Sequence, residues 1–256
     1  MEFLGEWLLG NYRRTRSRAM VAWASTKTLG HQRASSPLNI QNSVRVYLVR
    51  HGEVEDAWRG KVYGCHDVAL SDKGELEARS AADRLAEVEL AAVVSSGLRR
   101  TEFGAACIRE TRDLRRQDDR DLREIERGSW VGRMPEEIED EGWRRWQEAP
   151  DVERPPGGEN LQDLAGRVLP RIGFHGRELA GKTLAIVAHS WVLRVSACAA
   201  LGWPLSRAPE LVVPTGSILA LDWPLGWPTD EGLDKGCGTD DLRPKAVEFD
   251  GGVQLP

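Results

Sequence analysis

No run in the chain approaches the roughly 18 to 20 uninterrupted apolar residues that a membrane-spanning helix needs. Cysteine is scarce as well. Cys65, Cys107, Cys198 and Cys237 are far apart and form no CxxC pair, and His66 and His175 stand isolated from them. This pattern suggests neither a zinc site nor a disulfide framework, and reads as reduced thiols in a cytoplasmic protein. A broad positive surface is also missing. Formal net charge is −5, and residues 1–43 hold Arg13, Arg14, Arg16, Arg18, Lys27 and Arg33 against Glu2 and Glu6, so this +4 segment leaves −9 on the remainder. An acidic body argues against general nucleic-acid binding. Small anionic substrates stay open, because a few clustered arginines make a local positive pocket.

What is present suits one large domain: 256 residues with 41% hydrophobic and 29% charged content, ample for a core. Residues 1–43 are basic, Ser-containing and without clear periodicity, and are expected to be a disordered extension without targeting meaning. The competing readings are sequence upstream of a later start at Met20, or an Arg- and Ser-rich transit signal. The ordered body is expected over 44–256. Val44–Val49, Leu90–Ser95 and Thr183–Ala188 are short apolar runs, the mark of buried strands. Helices are predicted after Ser71 (a candidate N-cap), over Leu98–Arg109, Met134–Gln147, Asn160–Leu179 and Trp191–Leu201, with Gly166, Pro170 and Gly173 weakening the fourth. Ser217–Asp222 and Ala246–Phe249 are further strand candidates, and Trp223–Arg243, rich in Gly, Pro and Asp, reads as loop. Apolar strands alternating with helices predict an α/β three-layer sandwich, a mostly parallel central sheet flanked by helices.

In such sheets ligands bind beyond the C-terminal strand ends. The first strand runs into Arg50-His51-Gly52-Glu53, the second into Ser95-Ser96-Gly97-Leu98-Arg99-Arg100, and the third into His189-Ser190 at a helix start. Two histidines and at least two arginines therefore stand where this architecture puts its chemistry. Arginine's planar fork binds phosphate oxygens and stays charged. A histidine nitrogen can take a phosphoryl group and surrender it to water, and the helix after His189 would aim N–H groups at an anion. The leaving alkoxide needs a proton from a nearby acid.

The blocks VYLVRHGEVEDAWRGKVYGCHDVALSDKGELEA, SSGLRRTEFGAA, LREIERGSWVG, PPGGENLQDLAGRV and TLAIVAHSWVLRV resemble the histidine phosphatase superfamily, also called phosphoglycerate mutase-like, over roughly Val44 to Asp222. The resemblance implies His51 as nucleophile, Arg50 and Arg100 as phosphate ligands, Glu124 as general acid and His189 as the second pocket histidine, with Arg194 downstream. It places Gly52, Glu53, Lys61, Gly158, Glu159 and Ser190 on the substrate side. It implies no metal and no cofactor, a small phosphorylated metabolite as partner rather than nucleic acid or membrane, activity that survives a chelator, and a homodimer left open. Three positions depart from the family pattern: Ala57 stands near a usual asparagine, Thr101 at a common alanine and Ser190 at a usual glycine. Trp191 beside it could narrow the pocket. Trp130 is expected to be structural, and Trp143 and Trp146 to pack rather than stack on a ligand. Glu126 is a neighbour that could be mistaken for Glu124. Cys65 is expected near the site without a required role.

His51 and His189 lie 138 residues apart and Glu124 only 24 after Arg100, a compact span that favours a phosphatase over a mutase with its long insertion. Trp130-Val131-Gly132, Trp143–Trp146 and PPGGEN resemble α-ribazole phosphatases, which makes α-ribazole 5′-phosphate a candidate substrate. The alternatives are phosphoglycerate mutase-type transfer and a non-catalytic protein that binds a phosphorylated ligand.

Overall fold

The computed structural model describes residues 42–110, 112–227 and 243–250. Most of the 1–43 segment, and 228–242 of the expected loop, lie outside them. Among the described residues no helix is long and apolar enough to cross a membrane.

The strands are β1 (Ser43–Arg50), β2 (Ala92–Ser95), β3 (Arg115–Asp118), β4 (Thr183–Ala188), β5 (Ile218–Pro224) and β6 (Lys245–Asp250). They form one six-stranded sheet in the order β3-β2-β4-β1-β5-β6. The first four run parallel, while β5 and β6 are antiparallel additions at one edge. The helices are α1 (Asp72–Arg84), α2 (Arg99–Arg109), α3 (Trp143–Glu148), α4 (Leu161–Gly176) and α5 (Ser190–Leu201). Alternation along β1 builds both halves of the core. Val44, Val46 and Leu48 pack with residues of α4 and α5 on one face, and Tyr47 and Val49 with residues of α1 and α2 on the other. The result is the expected sandwich.

Three details differ from expectation. β3, of sequence RRQD, has no apolar pattern. It pairs on one side only and is largely exposed, and Arg116 pairs with Glu102 and Asp118, so it is a charged edge of the kind that discourages further strand addition. The helix predicted over Met134–Gln147 is two pieces, a 3-10 segment Pro135–Glu141 and α3, because Gly142 has φ 110°, outside the helical region. The helix predicted from Asn160 runs through Gly166, Pro170 and Gly173 to Gly176, then passes into 3-10 at Arg177–Leu179. Two of its glycines serve close packing: a Cβ on Gly176 would lie 2.5 Å from Val44 Cγ1, and one on Gly173 2.4 Å from the Trp227 carbonyl oxygen, whereas one on Gly166 would meet nothing within 4 Å.

The contact that positions the site is between Gly52 and α1. Ser71 caps α1 by accepting a hydrogen bond from Gly74 N at 3.1 Å. The chain leaving β1 crosses this first turn so closely that a Cβ on Gly52 would sit 2.0 Å from Gly74 O, and one on Gly74 2.0 Å from Glu53 O. Backbone meets backbone, so no rotamer change relieves the clash. Gly52→Ala is expected to cost about 3 kcal/mol of stability, read as a lower urea midpoint. An unchanged midpoint would show that the crossing is slack.

Candidate active site

The parallel strands β1, β2 and β4 deliver their C-terminal residues to one point. His51 follows β1, is 2% exposed, and is tied to the neighbouring strand by its N–H on Ala188 O at 3.1 Å. Its Nδ1 lies 2.7 Å from Gly52 O. A carbonyl only accepts, so Nδ1 carries the hydrogen and Nε2 keeps its lone pair. Burial, followed by the charges of Arg100 and Arg50, holds the His51 pKa well below the usual range. The imidazole is therefore neutral at pH 7, as a nucleophile must be.

His189 follows β4, fully buried, with its ring centroid 5.1 Å from that of His51. Its Nε2 is 2.8 Å from Ser96 Oγ, which is 2.9 Å from Thr101 Oγ1, and Thr101 donates to Leu98 O at 2.8 Å. Reading back from the carbonyl, Thr101 spends its one hydrogen on Leu98, Ser96 donates to Thr101, and His189 Nε2–H donates to Ser96. His189 Nδ1 is then a bare lone pair, enclosed and without a partner. Burial, Arg100 and His51 all depress this histidine's pKa. Thr101, the departure from alanine, ends the chain that sets the tautomer.

Arg100 is completely buried on the first turn of α2. It donates to His66 O and Gly64 O, each at 2.7 Å, which positions it, while its Nε has no partner. Arg50 donates to Val213 O, and its Nε is also enclosed and unpartnered. Glu124 is 6% exposed at the N-terminus of α5, where its carboxylate oxygens accept from Trp191 N at 3.3 Å and one of them from Ile125 N at 3.0 Å. Glu126 points elsewhere: it accepts from Cys65 Sγ at 2.5 Å and from the N–H groups of Arg127 and Gly128. Burial and Glu126 push the Cys65 thiol up to about 12, which makes it unreactive.

The other sequence-predicted residues divide by what engages them. Glu53 is held by Ser71, Lys73 and Arg59, and Glu159 by Arg167 and Glu126 N, so both carboxylates are already engaged. Gly158 fits where a Cβ would meet Glu126 O at 2.6 Å. Lys61 is exposed, Ser190 opens α5, and Ala57 lies in an exposed 3-10 turn.

Two arginines, the buried Arg127 and the half-buried Arg194, were not singled out as site residues in the sequence. Arg127 places its guanidinium carbon 3.9 Å from the ring centre of Trp146 and 5.9 Å from that of Trp191, and Arg194 lies 4.4 Å over Trp191. Burial lowers both pKa values to about 10, so both stay charged at pH 7. Arg127 sits inside a charge-crowded stretch, and composition alone could not distinguish a buried arginine from a solvated one. Trp130, Trp143, Trp146 and Trp191 form a continuous chain of ring contacts, with centroids 5.6, 5.8 and 5.2 Å apart.

A neutral histidine with a free Nε2, arginines without acidic partners and a buried carboxylate are groups of the kind that phosphoryl transfer uses. The family model for the histidine phosphatase superfamily (branch 1) matches residues 46–229. The chain belongs to this superfamily. It is an enzyme of the histidine phosphatase type, acting on small phosphorylated substrates. Phosphoserine phosphatase 1 of Hydrogenobacter thermophilus is 33% identical over 167 residues, covering 64% of this chain and 79% of the relative. A probable phosphoglycerate mutase GpmB of Salmonella choleraesuis is 30% identical over 183 residues, covering 70% and 85%. Among solved structures, a mycobacterial glucosyl-3-phosphoglycerate phosphatase with VO3 is 27% identical with TM-score 0.63, covering 70% of this chain and 92% of its own. The α-ribazole phosphatase of Shigella flexneri matches with TM-score 0.66 over 81% and 96%, but at 21% identity this likeness shows the fold alone.

Proposed function

We propose that this histidine phosphatase hydrolyses a small phosphomonoester in two displacements on His51. Nε2 attacks phosphorus, and the P–O bond to the leaving group breaks as Glu124 gives that oxygen its proton. Water then attacks the phosphohistidine, its proton passes to the Glu124 carboxylate, and the P–N bond breaks to free phosphate and the starting imidazole. Arg50 and Arg100 hold the transferred group, with His189 packed beside His51, and the N–H groups opening α5 at Ser190 add to the positive field. Gly52 and Gly158 contribute closely approaching backbone, and Lys61 a mobile charge at the rim. Glu53 and Glu159 shape this rim through the partners that hold them.

The observation that carries the reading is the fixed, neutral tautomer of His51 beside two arginines without acidic partners. Its test is rapid acid-free quenching with a 32P-labelled ester. An acid-labile, base-stable label should appear on the chain before free phosphate accumulates. Phosphate release without any such label would overturn the proposal, and tight binding without turnover would favour the non-catalytic reading. A second reading, transfer to a phosphoglycerate acceptor, is favoured by the 30% identity to a probable mutase. Adding unlabelled acceptor separates the two, since a mutase carries the label into the acceptor and a phosphatase into phosphate. α-Ribazole 5′-phosphate stays a candidate substrate through the Trp and PPGGEN blocks.

A further inference from the structure

The segment that carries Glu124 has little regular structure of its own. Among the described residues 119–127 the one regular piece is the short 3-10 turn Arg120–Leu122. Backbone groups outside helices and sheets still need partners when they are buried. Here the partners come from α4. Arg167, Arg171 and His175 recur at every fourth residue, so they share one face of that helix, and each reaches the segment. His175 Nε2 and Arg171 Nε lie 2.6 and 2.7 Å from Asp119 Oδ2, and Asp119 in turn accepts from Asp121 N at 3.0 Å.

Arg167 makes the closest hold. Its Nη1 donates to Asp121 O and Arg123 O, each at 2.8 Å, and its Nη2 to Glu124 O at 3.0 Å. Its Nε and Nη2 donate to the two carboxylate oxygens of Glu159, each at 2.7 Å. A guanidinium carries five N–H hydrogens in a rigid plane, and these acceptors use all of them. Glu159 completes the clasp, since its Oε2 also accepts from Glu126 N and its N–H donates to Glu126 O, both at 2.9 Å. Glu124 is thereby held from two sides by different helices. Its backbone carbonyl is tied to α4 through Arg167, and its carboxylate to Trp191 N at the start of α5. Where the carboxylate comes to rest depends on both anchors.

We infer that Arg167, with all of its N–H groups spent on this clasp, is a positioning residue for the proton donor, setting where the Glu124 carboxylate stands without itself meeting the substrate. This rests on the reading of Glu124 as the acid. A lysine at the same place keeps the positive charge but offers one compact ammonium, which cannot span three carbonyls and a carboxylate. Proton transfer weakens steeply when its donor is misplaced. A leaving group that needs no proton is insensitive to that displacement.

The test uses full-length Arg167→Lys protein, with circular dichroism to show that it folds, and compares kcat/KM on an alkyl and a dinitrophenyl phosphomonoester. The alkyl ester should lose about 30-fold and the dinitrophenyl ester less than about threefold. Added to Glu124→Gln, the same substitution should lower alkyl-ester turnover by less than about threefold further, because the group it positions is already gone. If Arg167→Lys does not fold, the comparison is made with Glu159→Gln, which leaves the three carbonyls on Arg167 but sets an NH2 group against a donor whichever way the amide turns. Its loss should be about fivefold for the alkyl ester and less than about twofold for the dinitrophenyl ester. Equal losses on the two esters overturn the positioning role, and so does an unchanged alkyl-ester rate. A full further 30-fold loss in the double variant, about that of the single one, also overturns it, since Arg167 would then act apart from Glu124. The single variants separate this inference from the reading beneath it. Leaving-group dependence with Glu124→Gln but not with Arg167→Lys sinks the clasp and leaves the acid standing. Dependence with neither sinks the acid as well, and dependence with Arg167→Lys alone overturns both, because the positioned acid would be another residue.

Discussion

His51→Ala is expected to lower phosphate release by about ten-thousand-fold or more, with kcat rather than KM carrying the loss. Every other group in the pocket acts on a phosphoryl group that only Nε2 can accept. The neighbouring His189 does not substitute for it, because its Nε2 is engaged by Ser96 and its Nδ1 is fully enclosed, so neither ring nitrogen is open to an incoming phosphorus. The measurement is single-turnover release of phosphate from a generic aryl ester, with circular dichroism to show that the variant folds. A folded variant with a hundredth or more of wild-type activity would show that the nucleophile is misassigned.

Glu124→Gln is expected to reveal the acid by its dependence on the leaving group. An alkyl ester leaves as a strong base and needs a proton, so its kcat/KM should fall about a thousandfold. A dinitrophenyl ester leaves as a stable anion and should lose less than about tenfold. The amide keeps the acceptor oxygen for Trp191 N and Ile125 N and matches the carboxyl in size, so the pocket's shape is preserved. A uniform loss over both esters would indicate that Glu124 only positions other groups, and the acid would have to be sought elsewhere.

How much of this could be read from the sequence depended on burial. β1, β2 and β4 are covered on both faces, so they are apolar throughout and stand out from the sequence around them. Their ends carry Arg50, His51 and His189, and the turn after β2 leads to Arg100, so the candidate site was visible once the strands were. β3 was not, because an edge strand may be built from Arg, Gln and Asp when solvent takes its free side. The direction of β5 and β6 was equally hidden: an apolar run looks the same whether the chain ascends or descends, and here β5 runs antiparallel to β1 and β6 antiparallel to β5. The break at Gly142 turned on one backbone angle. Arg127 was missed for a related reason, since a charged residue in a charged stretch gives no sign that its side chain turns inward.

Trp191 links two functions that could have been separate. Its backbone N–H holds Glu124 while its ring lies beside Arg194 and, more distantly, Arg127. In the proposed mechanism the holder of the proton donor and the aromatic wall beside both arginines are thus one residue at the start of α5. In evolutionary terms the two properties divide within that residue: the N–H that holds Glu124 survives any change of side chain except to proline, so the ring can be reshaped while the carboxylate keeps its partner.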